Sequence, residues 1–204
     1  KDLFELPAAA NEWSAKSKNL TGLYAGFNGR MLLIAANNGF YVYDLLQQKL
    51  ITSNKFSGFV RYLFQDNKGV FWICTNKQIH QFVLNNGQLS ELPGRKIFEE
   101  SNIRHPISCM AQDWQGRYLI GAADGRLHVY DEANGSITEN KSTSLGLKLH
   151  AIKDIYPDSA THKIYLATDG GGLLLIDESQ LLEQVYQSNE DDPTSLSNNA
   201  VYNV

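Results

Sequence analysis

Hydrophobic and polar residues alternate in short stretches along the chain, and turns rich in glycine, asparagine and aspartate separate the stretches. Alternation with a period of two is typical of half-buried β-strands, because successive side chains point to opposite faces of a sheet. No long apolar stripe with the 3.6-residue period of a helix is present in the sequence. The pattern therefore predicts an all-β chain.

Four segments of the chain share one layout, in which a strand ending in a small residue leads through a polar turn to a second strand. The first strand of each pair covers residues 31–35, 70–74, 117–121 and 163–167, and the second covers residues 40–44, 78–82, 127–131 and 173–177. When Ile34, Ile73, Ile120 and Leu166 are taken as equivalent, successive repeats are 39, 47 and 46 residues apart. Repeats of about 40 to 50 residues are typical of four-stranded propeller blades.

The repeats predict one all-β domain over residues 1–204, a partial, open β-propeller of about four four-stranded antiparallel blades. The predicted blades cover residues 20–56, 59–93, 105–140 and 149–188. Residues 3–7 match residues 89–93 and are predicted to be the outer strand of a preceding blade. Residues 200–204 are predicted to be the inner strand of a truncated fifth blade. We expect a homodimer, or an irregular pairing of the ends of the arc, because an open arc would otherwise leave sheet edges unpaired.

The composition excludes several classes of protein. Hydrophobic residues make up 43% of the chain, enough to bury a core. The 18 Lys and Arg against 22 Asp and Glu give a net charge of −4, which argues against nucleic-acid binding. No apolar run approaches the roughly 18 residues that cross a bilayer, so we expect no membrane contact by this segment.

The reactive residue types are predicted to be structural. Cys74 aligns with Ala35, Gly121 and Ala167, at a position where a neighbouring strand packs closely. Cys109 lies in an inner strand. The sequence does not decide whether the two cysteines form a disulfide bond. His80 and His128 share a packing position with Tyr41 and Leu174. The histidines lack a metal-ligand spacing, and the motifs of common hydrolases are absent. We therefore expect no catalytic residue, metal or cofactor in this chain.

Binding is better supported than catalysis because propeller connections emerge together. The turns between second and third strands and the connections between blades lie at one end of the blades, which we call the loop face. Its polar residues, suited to sugar hydroxyl, uronate or sulfate groups, are Asn37, Asn38, Asn76, Lys77, Arg104, His105, Asp124, Arg126, His150 and Asp169. Trp114 lies in a turn at the opposite end, where it is either exposed for a protein contact or folded back over the blade edge.

Three segments resemble the two-component-regulator propeller repeat. An Asp-x-x-Gly turn at residues 66–69 precedes Phe71-Trp72-Ile73-Cys74-Thr75, and residues 166–173 are similar to the Thr-x-x-Gly-Gly-Leu segment of that repeat. Residues 190–201 are similar to its Asn-Asp-Pro-x-Ser-Leu-Ser-Asn-Asn-x-Val linker between blades. Repeats one and three lack the tryptophan, and repeat two lacks the Gly-Gly turn.

The resemblance implies the periplasmic sensor region of a Bacteroidetes hybrid two-component histidine kinase. In that family a propeller senses glycan fragments and controls a cytoplasmic kinase, with the parent protein anchored in the inner membrane. The implied partners are an oligosaccharide or related small ligand and the remaining blades of the parent chain, with no catalysis in this segment. Two alternatives stay open: a propeller polysaccharide lyase or glycosidase, and a protein-interaction scaffold.

Overall fold

The computed structural model describes residues 20–26, 29–36, 39–55, 59–75, 79–86, 88–92, 103, 105–141, 148–177, 179 and 181–204. The chain divides into two compact units, Lys1–Glu99 and Glu100–Val204. Regular structure in the described residues consists of β-strands, which form four antiparallel sheets of four strands each. The prediction of an all-β chain built from four-stranded antiparallel blades is therefore confirmed. No helix among these residues is long and apolar enough to cross a membrane.

The described residues of unit 1 form two blades, in each of which the strands pair in chain order. The strands of blade 1 are β1 (Leu20–Gly26), β2 (Met31–Ala36), β3 (Gly39–Asp44) and β4 (Lys49–Lys55). The strands of blade 2 are β5 (Val60–Gln65), β6 (Phe71–Thr75), β7 (Ile79–Asn85) and β8 (Gln88–Glu91). The two blades share a core in which the rings of Phe40 and Phe82 lie 5.2 Å apart.

Unit 2 contains two further blades with the same strand order. The strands of blade 3 are β9 (Ile107–Gln112), β10 (Tyr118–Ala122), β11 (Leu127–Asp131) and β12 (Ser136–Asn140). The strands of blade 4 are β13 (Ile152–Asp158), β14 (Lys163–Thr168), β15 (Gly172–Ile176) and β16 (Leu182–Tyr186). All four blades fall inside the predicted ranges, but the division into domains stays a prediction. Residues 3–7 lie outside the described residues, and in the last segment Ala200 makes a single antiparallel bridge with Asp169.

The strand register reproduces the equivalence assumed from the repeats. In each blade the residue taken as equivalent pairs with the same position of the next strand: Ile34 with Tyr41, Ile73 with His80, Ile120 with His128, and Leu166 with Leu174. His128 is 3% exposed, and burial lowers its pKa. Its place in the register is a packing position, as predicted.

The small-residue position at the end of each second strand is a point of close approach. A Cβ on Gly121 would lie 2.5 Å from Cys109 Sγ and 3.0 Å from Ile152 Cγ2, so the inner strands of blades 3 and 4 leave no room for a side chain there. Both cysteines are buried and neither forms a disulfide in the structure. Burial raises the pKa of the Cys109 thiol to about 12, so Cys109 is an inert core residue.

The Asp-x-x-Gly turns are held by a buried carboxylate. Asp66 Oδ1 accepts hydrogen bonds from the backbone of Lys68 and Val70, both at 2.9 Å, and Asp66 Oδ2 accepts one from the Trp72 indole at 2.9 Å. Trp72 is fully buried, so its N–H depends on this carboxylate. The tryptophan of the repeat therefore completes the turn.

Blade 3 lacks that tryptophan and supplies a different donor. Asp113 Oδ1 accepts from the backbone of Gln115 and Arg117, both at 2.9 Å, and Asp113 Oδ2 accepts from Arg117 Nε at 2.7 Å. The guanidinium of Arg117 thus replaces the indole of blade 2. A departure from the repeat at one position is compensated at another, and the turn is kept.

A bulge interrupts each inner strand near the loop face. The pairing with the second strand skips one residue there, and the residues skipped are Thr21, Arg61, Ser108 and Lys153. A bulge re-aims the side chain of its extra residue and is common beside functional sites. The alternation of the sequence does not reveal these bulges, because each adds one residue to a strand of ordinary appearance.

Candidate functional site: the loop face of unit 2

Of the ten predicted site residues, five lie outside the described residues: Asn37, Asn38, Asn76, Lys77 and Arg104. The other five are in unit 2, in the turns and connections at one end of blades 3 and 4: His105, Asp124, Arg126, His150 and Asp169. The structure arranges them in two groups that meet at one glycine.

The first group surrounds the turn between β10 and β11. Asp124 accepts hydrogen bonds from Arg126 through the backbone N–H at 3.2 Å and through Nη1 at 2.5 Å. His105 Nε2 lies 3.5 Å from the same carboxylate, and Arg126 Nε lies 3.4 Å from Glu139 Oε1. The Arg126 side chain is 41% exposed and the His105 side chain 50% exposed, so both face solvent, and the carboxylates of Asp124 and Glu139 partly balance the charge of Arg126.

The second group surrounds the turn between β14 and β15. His150 Nδ1 lies 3.0 Å from the Asp169 carbonyl oxygen, which can only accept a hydrogen bond, so the proton of the neutral ring is on Nδ1. His150 Nε2 is then an acceptor. A Cβ on Gly170 or Gly171 would lie 3.0–3.1 Å from the imidazole, so glycine at both positions lets the ring lie against the turn.

Gly125 joins the two groups. Its φ is +88°, and a Cβ there would lie 2.7 Å from both the backbone N and O of His150. Both the positive φ and the close backbone contact require glycine. The β10–β11 turn of blade 3 therefore packs directly on the segment that leads into blade 4, and the polar groups form one surface.

Sequence reasoning missed two members of this surface. Lys153, the bulge residue of β13, donates to Asp169 with Nζ 2.9 Å from Oδ2 and lies 5.7 Å from the ring centroid of Tyr202. Tyr202 also donates to Asp169 Oδ1 at 3.4 Å. The hydrogen bond from Lys153 holds the pKa of Asp169 below its ordinary value. Lys153 has no signal in the alternation, whereas Tyr202 follows the linker motif by one residue.

The linker that resembles the family motif folds on itself through its own side chains. Asp192 Oδ1 accepts from the Thr194 backbone at 2.9 Å, and Ser195 Oγ accepts from the Asn189 backbone at 2.9 Å. Ser195 Oγ also donates to the Asp192 carbonyl at 2.7 Å. Short polar side chains at these spacings satisfy the backbone of a compact turn.

Asn199, the second asparagine of the pair at the end of the linker, attaches the linker to blade 4. Asn199 O accepts hydrogen bonds from Gly170 N at 3.0 Å and from Gly172 N at 2.8 Å, and Asn199 Oδ1 accepts from Ser188 N at 2.6 Å. Val201 N then donates to Thr168 O at 2.9 Å. The linker thus positions the β14–β15 turn, which carries Asp169.

A small cavity of about 80 Å³ lies within this surface. The aliphatic side chains of Ile152, Leu166, Leu174 and Val185 form its floor. Lys148, His150 and Gln187 line it as well, and the Gln187 amide donates to Gly171 O at 3.1 Å. The volume is well below the roughly 300 Å³ of an ordinary ligand pocket, so the cavity fits a substituent and not a sugar ring.

Unit 1 has a larger cavity at its own bulge. It measures about 270 Å³, and its lining includes Arg61, Tyr24 and Tyr62. A guanidinium beside tyrosine rings combines directional donors with aromatic faces. The described part of the chain holds no group of three or more His, Cys, Asp or Glu side chains that could bind a metal ion.

Trp114, at the opposite end of blade 3, is folded back. Its ring is stacked on that of His162, with centroids 4.9 Å apart and an angle of 13° between the planes. His162 belongs to the longer β13–β14 turn of blade 4. Of the two alternatives for Trp114, the structure therefore shows the one in which the ring packs over the neighbouring blade.

The repeated four-stranded meanders and their shared register define a protein of the β-propeller class. Among solved structures, the chain is similar to the extracellular domain of a protein described as the putative hybrid two component system BT4673 from B. thetaiotaomicron, at 22% identity and a TM-score of 0.63 over 87% of this chain. A second, described as the putative hybrid two component system BT3049 of the same organism, is 20% identical with a TM-score of 0.61 over 89% of this chain.

The β-propeller domain of Cps50 (Swd1) from Myceliophteria thermophila is also similar, at 17% identity and a TM-score of 0.56 over 78% of this chain and 51% of that chain. The resemblance to hybrid two-component sensors is confirmed at the level of the fold. The chain spans 23% of the length of each of the two Bacteroides structures. No protein-family model matches the chain, and no curated protein does.

Proposed function

We propose that this chain is part of an extracytoplasmic, periplasmic ligand-sensing region of a hybrid two-component histidine kinase, and that its ligand is a glycan fragment. Two similar structures are extracellular domains described as hybrid two-component systems, which supports the sensor role. The parent protein would be anchored in the inner membrane, with the kinase and the remaining blades outside residues 1–204.

The observation that carries the proposal is the packing of Gly125 on the backbone of His150. It merges the turns of two blades into one surface, on which Arg126 and Lys153 present cationic donors and Asp124 and Asp169 present acceptors. Sugar hydroxyls, uronates and sulfates are bound by several directional hydrogen bonds of this kind.

Signalling would follow from a difference in affinity. A ligand that binds one arrangement of the sensor more tightly than another shifts the population toward that arrangement by the ratio of the two affinities. The binding surface joins the turns of separate blades, so a ligand across it would favour one relative placement of blades 3 and 4. No bond in the ligand needs to break.

The test is calorimetry against a panel of neutral, acidic and sulfated oligosaccharides, with chromatography of the same samples. We expect reversible binding of at least one class with no new products. Turnover of any oligosaccharide would support the alternative of a lyase or glycosidase and contradict the proposal. Absence of all binding would also contradict it, and tight capture of a protein partner in that case would favour a scaffold.

We also propose a homodimer. One face of blade 4 presents Tyr156 and Tyr186, which are 51% and 38% exposed, and aromatic residues are enriched at protein interfaces. Sedimentation equilibrium of the wild type and of Tyr156→Lys tests this. A dimer that the substitution dissociates is expected, and a monomer at all concentrations would contradict the proposal.

A further inference from the structure

The small cavity on the loop face of unit 2 differs chemically from the polar surface around it. Its floor is a cross-strand row: Leu166 pairs with Leu174, which pairs with Val185. Ile152 of the neighbouring inner strand completes the floor. An apolar cavity holds water poorly, because its walls offer no hydrogen bonds, and it favours an apolar group of matching size.

The residues beside the floor provide one donor and two acceptors. Lys148 carries an exposed ammonium group, and His150 presents Nε2 as an acceptor because its Nδ1 proton is donated to the Asp169 carbonyl. The Gln187 amide group donates to Gly171 O through Nε2, which leaves its own oxygen as a second acceptor. The polar residues of the cavity are therefore complementary to a group that has one acceptor and one N–H.

The volume limits that group to a few heavy atoms. About 80 Å³ corresponds to the space of two or three water molecules. A sugar ring exceeds this space, whereas a methyl group with an attached amide does not. The cavity walls are closely packed at Gly125 and Gly171, where a Cβ would meet His150 or Thr168 atoms at 2.7 Å.

We propose that this cavity is a subsite for the acetamido group of an N-acetylated amino sugar. The methyl group would contact the aliphatic floor, the carbonyl oxygen would accept from Lys148, and the N–H would donate to His150 Nε2 or to the Gln187 oxygen. This subsite rests on the proposed glycan-binding function and assigns the substrate class to N-acetylhexosamine-containing oligosaccharides. Discrimination comes from the acetyl group, since a hydroxyl in its place leaves the floor uncovered.

The test compares two trimers of equal length, N-acetylchitotriose and cellotriose, by calorimetry on the full chain. We expect N-acetylchitotriose to bind at least about tenfold more tightly, the discrimination typical of one fitted apolar group. Val185→Met fills the floor and should abolish the preference, and Lys148→Met removes the donor to the carbonyl oxygen and should reduce it. Gln184→Met changes the adjacent residue, which points to the opposite face of β16, and should retain it.

Lys148 is exposed, so its substitution tests the subsite without disturbing the core, and thermal unfolding verifies that each variant is folded. Equal affinity for the two trimers, or a preference that survives both substitutions, would overturn the acetamido subsite. If neither trimer binds but another oligosaccharide of the panel does, the subsite fails and the sensor function stands. If no oligosaccharide binds, both fail.

Discussion

The buried carboxylate of the Asp-x-x-Gly turn makes a quantitative prediction in blade 2. In Asp66→Asn the amide group retains one oxygen for the two backbone N–H groups at 2.9 Å, but it turns an NH₂ group toward the Trp72 indole, donor against donor. Trp72 is fully buried and cannot find water instead. An unsatisfied buried donor costs about 1–3 kcal/mol, and weakening two charge-assisted bonds adds about 1 kcal/mol.

We therefore expect Asp66→Asn to lower the free energy of unfolding by about 2–4 kcal/mol. The assay is urea unfolding followed by circular dichroism, within a double-mutant cycle with Trp72→Phe. In the Trp72→Phe background the same substitution should cost about 1–3 kcal/mol less, because the orphaned N–H is gone. Ser90→Ala, at an exposed position of the outer strand of the same blade, is the control and should stay within about 0.5 kcal/mol of wild type. A coupling energy near zero would refute the role assigned to the indole.

Three further predictions concern unit 2. Because burial lowers the pKa of His128, this histidine binds a proton in the unfolded chain before it does so in the folded protein as the pH falls below about 6.5. The free energy of unfolding therefore decreases below that pH, by at most about 1.4 kcal/mol per pH unit. His128→Leu should remove this decrease from acid unfolding curves, and an unchanged dependence of stability on pH would contradict the assignment. Gly125→Ala should lower the free energy of unfolding in urea by about 2–4 kcal/mol, because backbone atoms lie 2.7 Å from the added Cβ. The control Gly135→Ala has the same sign of φ and no neighbour within 4 Å, and should cost about 1 kcal/mol. Equal costs would exclude the close contact. The Cys109 thiol, with its pKa raised to about 12, should resist iodoacetamide at pH 8 in native protein and react after unfolding, and labelling at equal rates would show that the site is not buried.

The blade architecture is predictable from the sequence because it depends on local chemistry that recurs. Alternation assigns the strands, and the turn residues between them determine the register, since a slip of one residue would turn every buried side chain outward. This is why Ile120 and Leu166 pair with His128 and Leu174 as the repeat alignment predicts. The same logic located Asp124 and Asp169 in turns at one end of the blades.

The composition of the site depends on contacts between residues distant in sequence, which alternation does not report. Lys153 reaches Asp169 because a bulge adds one residue to β13, and Tyr202 reaches it because the linker attaches to the β14–β15 turn. The cavity is defined by the space left between two packed blades. Predicting it would require the distance between blades 3 and 4, which approach closely at Gly121 and Gly125 because neither residue has a side chain.

Hydrogen exchange of the backbone amides, measured with and without a bound oligosaccharide from the panel, tests the central claim that the loop face of unit 2 is the binding surface. We predict slower exchange in segments 124–126, 148–153 and 168–172, with the Asp-x-x-Gly turn at residues 113–116 unchanged. Protection confined to that turn, or no protection at either end of blades 3 and 4, would contradict the account.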